Sequence, residues 1–271
     1  MNFFIGLDQT GAVNPKGHPK PLPLAFLDGR SGLLRTRALN GRPLTLPTFS
    51  RDALEAVLVE NAVEDAHEIV RSPKTGLFVD AVFGLPMGLK APSPRELFVS
   101  ASQHEGYGLK AAAGFFKTLA PQIDYPVRRC ESLAKANSVF RTHPYQKNIQ
   151  CGTYRIWRDL GLHGSDWVHL RYFEKKKPTR PILYEAYPSL MWKQLLQLQT
   201  RDRTKLEASL KKFDVEIPKD DLQLMIENAD HADAAMLALG GFFLRPEVSR
   251  STDERLSKEG WILGLDETEH S

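Results

Sequence analysis

Three short apolar runs, each ending in a single carboxylate, constrain this chain most. The first, Phe3-Phe4-Ile5-Gly6-Leu7, delivers Asp8 to a break at Gln9-Thr10-Gly11. The second, Leu77-Phe78-Val79, ends in Asp80 and leaves through Ala81-Val82-Phe83-Gly84-Leu85-Pro86. The third, Pro181-Ile182-Leu183-Tyr184, carries Glu185 and leaves through Ala186-Tyr187-Pro188. A continuous apolar run bounded by a turn suits a strand buried on both faces. Such strands need layers on both sides of a sheet, which makes the expected class α/β. A carboxylate at the mouth of a buried strand is costly to desolvate unless a cation or hydrogen bonds satisfy it. Taken singly, Asp8 reads as a turn opener, Asp80 as a turn cap and Glu185 as the partner of a nearby arginine.

The segments between these runs fill in the architecture. Four prolines, Pro15, Pro19, Pro21 and Pro23, make 12–23 a surface loop. Residues 24–27 and 33–39 then read as a hairpin around Asp28-Gly29-Arg30-Ser31-Gly32, so the sheet is mixed rather than purely parallel. Ser50 caps an expected helix over 51–70 with the stripe Leu54, Val57, Leu58, Ala62, Ala66, Ile69 and Val70. Ser72-Pro73 stops it.

Residues 93–180 read as a mostly helical insertion or lid on one side of the sheet, inside a single domain spanning 1–271. Ser93-Pro94 opens a helix there, and helices are expected over 95–102, 109–119, 131–140 and 152–160. Downstream, helices are expected over 204–213 and 219–228. Residues 230–244 form an almost wholly apolar helix whose only charges are Asp230 and Asp233, and 259–262 a short docked tail.

Together the carboxylates change their meaning. Asp230 and Asp233 are three apart, hence on one helix face, where the helix dipole also favours acids. Acids converging at one sheet edge would repel and raise one another's pKa. A divalent cation resolves that conflict, and an all-oxygen set favours Mg2+ or Mn2+ over zinc. Two such ions about 4 Å apart would activate a water and stabilise the leaving oxygen in phosphodiester cleavage.

Gly6-Leu7-Asp8, Phe78-Val79-Asp80 with Gly84-Leu85-Pro86, Tyr184-Glu185-Ala186-Tyr187-Pro188 and Asp230-His231-Ala232-Asp233-Ala234 follow the order seen in RNase H-like nucleases. The closing Asp-x-x-Asp-Ala is similar to that of Holliday-junction resolvases. The second and third segments, with Arg129-Cys130-Glu131 and Glu259-Gly260-Trp261-Ile262, resemble a family of predicted RNase H-like nucleases. The resemblance spans nearly the whole chain and implies an RNase H-like mixed sheet flanked by helices. It implies Asp8 as central metal ligand, Asp80 as the second-strand ligand, and Asp233 or Asp230 as the ligand from the last helix. Glu185 would be an added ligand, a water-orienting base or a structural support. Arg128, Arg129, Lys135 and Lys147, on the insertion, are the candidates for phosphate contacts with DNA or RNA.

Composition excludes little else. A formal net charge of +3 is too small to announce a nucleic-acid binder, so any basic footprint is local. The two cysteines, Cys130 and Cys151, make neither a disulfide framework nor a zinc set. Cys130 reads as a small buried apolar residue, and His104, His143 and His163 as surface residues without ligand spacing. No apolar stretch approaches the roughly 18 residues of a membrane span, and no signal peptide is evident. A cytoplasmic protein with reduced thiols is expected; whether it is a homodimer the sequence leaves open. Two other readings compete. Gly6-Leu7-Asp8-Gln9-Thr10-Gly11 also resembles the first phosphate loop of sugar-kinase and actin-like phosphotransferases, which need a second glycine-rich loop. A non-catalytic binding protein on the same fold would keep the carboxylates as caps.

Overall fold

The computed structural model describes residues 1–9, 13–39, 48–87, 89, 92–120, 127–136, 138–140, 148–198, 203–244 and 254–265. Its centre is a six-stranded mixed sheet in the order β3-β2-β1-β4-β6-β5. The strands are β1 (Phe3–Leu7), β2 (Leu22–Asp28), β3 (Leu33–Leu39), β4 (Thr75–Val79), β5 (His169–Leu170) and β6 (Ile182–Glu185). β1, β2 and β3 pair antiparallel, whereas β4 pairs parallel to β1, and β6 parallel to both β4 and β5. The expected hairpin and three buried strands are all present, and β1 lies where the two pairing modes meet. The two-residue β5 is too short to carry a sequence signal.

Side-chain alternation along these strands divides the core in two. Phe3, Ile5, Leu7, Leu77, Val79 and Leu183 face one apolar cluster, and Phe4, Phe78, Ile182 and Tyr184 face the other. The first cluster is closed by α1 (Arg51–Glu60), α3 (Pro94–Gln103), α4 (Leu109–Leu119) and α6 (Asn148–Leu162). Phe98, Phe115, Phe116 and Trp157 pack ring against ring within it. Segment 93–180 therefore builds one face of the sheet and contributes β5 to its edge. The second face is covered by α7 (Pro188–Leu196), α8 (Leu206–Leu210), α9 (Lys219–Glu227) and α10 (Ala229–Leu244).

α10 crosses the sheet against β1. A Cβ on Gly6 would overlap the Ala234 carbonyl oxygen and lie 2.6 Å from the Ala238 nitrogen, so the absence of a side chain sets this approach. Further along α10, Phe242 stacks edge-on against Phe4, nearer the start of β1. The helix thus runs opposite to β1, and its opening turns lie over the strand's C-terminal end.

Three expected helices are corrected. The stripe over 51–70 is broken into α1 and α2 (Ala66–Ile69), with Ala62 and Asp65 at φ of 52° and 58°. Asn61 ends α1: its side-chain amide donates to the Val57 carbonyl at 2.7 Å, and its own carbonyl accepts from Arg35 at 3.0 Å. The helix expected over 131–140 is α5 (Arg129–Ala134), ended by Lys135 at a φ of 54°. The 204–213 helix is a 3-10 turn, Arg203–Lys205, leading into α8. The tail docks as expected: α11 (Glu254–Glu259) leads to Trp261 and Ile262, which pack with Cys130 of α5.

Candidate active site

Leu7 and Val79 are Cα partners across the parallel β1–β4 pair, so the residues that follow them leave the sheet side by side. These are Asp8 and Asp80. The ladder continues into this pair: Asp80 N–H donates to the Leu7 carbonyl at 3.1 Å, and Ala186 N–H to that of Val79 at 3.0 Å. Neighbouring strands are about 4.8 Å apart, a spacing that two carboxylates sharing one cation can bridge. Asp8 is 7% exposed and Asp80 half-buried.

Strand parity assigns a face to Asp8 and to Glu185. Gly6 abuts α10, and Gln9 lies on the other side against Gly152 of α6, where a Cβ would overlap Gln9 Oε1. Asp8, between them in alternation, belongs to the α10 face. Asp80 lies one residue past β4, where Ala81 N–H turns back to the Val79 carbonyl at 2.8 Å, and it lines a cleft shared with Arg128 and Glu185. α10 adds Asp233, 2% exposed, which accepts from Trp192 Nε1 at 2.7 Å. Asp230 is exposed, its backbone N–H turned to Asn228 Oδ1. The structure therefore separates the two helix acids, placing Asp233 inside and Asp230 in solvent.

Glu185 has the parity of Leu183 and faces the opposite side. There Arg128 grips both its oxygens, with Nη1 at 2.8 Å from Oε2 and Nη2 bonded to Oε1. Arg128 Nε also donates to Glu131 Oε1 at 3.0 Å, and its Nη1 to the Glu259 carbonyl at 2.8 Å. Burial pushes the Glu131 carboxyl above its usual range, against the pull of Arg128. A small cleft of about 50 Å3 runs past Asp80, Arg128, Glu131, Glu185, Tyr187 and Ile262.

This placement corrects the expectation for Arg128. It is 1% exposed and bonded to carboxylates, not available on a phosphate-facing surface. Arg129 is half-buried and Lys135 exposed, while Lys147 lies outside the described residues. Cys130 is buried as expected, and burial pushes its thiol up to about 12. His104 is half-buried against Phe115 and Tyr154 rather than on the surface; His163 is exposed, and His143 lies outside the described residues.

Gly84, Gly240 and Gly241 are spent on packing rather than on a second glycine-rich phosphate loop. A Cβ on Gly84 would overlap the Glu259 carbonyl, and those on Gly240 and Gly241 would overlap Met191 and Phe78. Sequence reasoning missed Trp192, Glu131 and Glu259 as partners of the site. Glu131 carried a signal, standing three residues after Arg128 on one helical turn. Among the described residues, no three His, Cys, Asp or Glu side chains converge as a ready-made metal cage.

Comparison of the chain with protein-family models, curated proteins and solved structures finds no match. Among the described residues, no helix is long and apolar enough to cross a membrane.

Proposed function

We propose that the protein is a divalent-metal-dependent nuclease on an RNase H-like domain, hydrolysing phosphodiester bonds of DNA or RNA. The observation that carries this reading is the β1–β4 register, which sends Asp8 and Asp80 out of adjacent strands. The strand order, antiparallel on one side of β1 and parallel on the other, and the approach of Asp233 on α10 support it.

Magnesium commonly takes one or two protein carboxylates and fills its shell with water and substrate phosphate. The oxygen-only pair Asp8 and Asp80 fits that demand without a three-ligand cage. When bound, Mg2+ or Mn2+ would supply an activated water and charge stabilisation for the leaving oxygen. Asp8 and Asp80 would hold the ion, and Asp233 would add charge from α10 with its orientation fixed by Trp192. Glu185 acts from the other face as a support through Arg128, and Asp230 stays in solvent. Arg129, half-buried, and Lys135, exposed, would meet the phosphate backbone.

Purified protein with Mg2+ or Mn2+ is expected to cut single-stranded, duplex or branched DNA or RNA, and Asp8→Asn to abolish the cutting. No cleavage of any of these substrates by the wild-type chain would reject the reading.

A further inference from the structure

Three segments far apart in the sequence meet at one guanidinium. Arg128 and Glu131 come from α5, Glu185 from β6, and Glu259 from the end of α11. All four are buried.

The carboxylates of this network also grip the segment that leaves Asp80. Glu185 Oε2 accepts from Phe83 N–H at 3.2 Å, and Glu259 Oε1 from Met87 N–H at 3.0 Å. Glu259 Oε2 takes Arg129 N–H at 3.0 Å. On the other side of the segment, Thr153 Oγ1 accepts from Val82 N–H at 3.1 Å, and Trp157 Nε1 donates to the Val82 carbonyl at 2.6 Å. Residues 82, 83 and 87 are thereby fixed, and Asp80 N–H is tied to β1 by the ladder bond to Leu7.

We infer that Arg128 is a positioning residue for Asp80: it holds Glu185 and the Glu259 backbone so that the 80–87 segment leaves β4 in one conformation. The planar fork is what the task requires, because a guanidinium reaches three carboxylate-bearing elements at fixed angles and a lysine ammonium is a point charge. Groups that orient a metal ligand from behind commonly change metal affinity about 10–100-fold when altered. The link to metal affinity rests on the nuclease reading above, whereas the link to the 80–87 backbone stands without it.

The test compares Arg128→Lys with Arg95→Lys in the full chain. Arg95 is an equally engaged guanidinium, bonded to Ser165, the Val168 carbonyl and Glu174, far from this segment in the bonding pattern. Amide hydrogen exchange at Phe83 and Mn2+ affinity by calorimetry are the readouts. Arg128→Lys should speed Phe83 exchange at least about 10-fold and weaken Mn2+ binding about 10-fold, with Arg95→Lys changing neither. Unchanged Phe83 exchange in Arg128→Lys, or equal acceleration in both variants, would overturn the inference. If the wild type binds no Mn2+, the nuclease reading falls and Phe83 exchange alone decides the positioning role. Should Arg128→Lys not fold, Glu185→Gln replaces it, with the same outcomes.

Discussion

Trp192 Nε1 donates to Asp233 at 2.7 Å, and both side chains are almost fully buried. The bond ties the helix after β6 to the opening turns of the helix that crosses β1. It also holds a buried carboxylate in a set direction beside the strand ends. Trp192→Phe keeps much of the ring and removes the donor. The expected loss is about 1–3 kcal/mol, the penalty of leaving a buried acceptor without its partner. Urea unfolding measures it, and an unchanged midpoint would show that the bond carries no stability.

Gly6→Ala probes the seat of α10. The added Cβ would overlap the Ala234 carbonyl and crowd the Ala238 nitrogen, both backbone atoms that no rotamer change can move. Overpacking at such a place costs about 3 kcal/mol. Because the helix must lift to accept it, Asp233 shifts with α10 relative to β1, so the melting temperature is expected to fall and, on the nuclease reading, Mn2+ affinity with it.

Glu185→Gln separates support from chemistry. Arg128 would keep its place with one charge fewer against it in a buried site, and stability should fall by about 3 kcal/mol. Chemical denaturation checks this. A loss well under 1 kcal/mol would mean that the pair contributes little.

Much of this was legible beforehand, for identifiable reasons. β1, β4, β6 and α10 announce themselves because each holds a continuous apolar run, and the hairpin because a glycine-containing turn divides two strand-like runs. Which face each acid takes was not legible. Parity within a strand is readable, but comparing Glu185 with Asp8 needs the inter-strand register, and no local residue specifies that. The break at Ala62 was hidden because the apolar stripe runs through it: Ala66 and Ile69 reach the same core from a second, separate turn. Arg128 reads as a surface residue on an exposed helix until the tail and β6 arrive to bury it.

Acid stability offers an independent check on the sheet edge. Burial alone would raise the Glu174 carboxyl, but hydrogen bonds from His169, Arg95 and Arg180 hold it down to about 2. A folded-state pKa below the unfolded one gives stability that is present above about 4.3 and is lost as pH falls toward 2. Glu174→Gln should therefore lower stability at pH 7 and flatten its decline between pH 4 and 2, seen in denaturation curves across that range. An undiminished slope would place the acid sensitivity elsewhere.

The central claim is that Asp8 and Asp80 share a divalent cation. Anomalous diffraction from a crystal soaked in Mn2+ tests it most directly. The account predicts one manganese peak within about 2.2 Å of a carboxylate oxygen of both Asp8 and Asp80, absent from crystals of Asp8→Asn. Manganese bound elsewhere, or a peak that survives in Asp8→Asn, would contradict it.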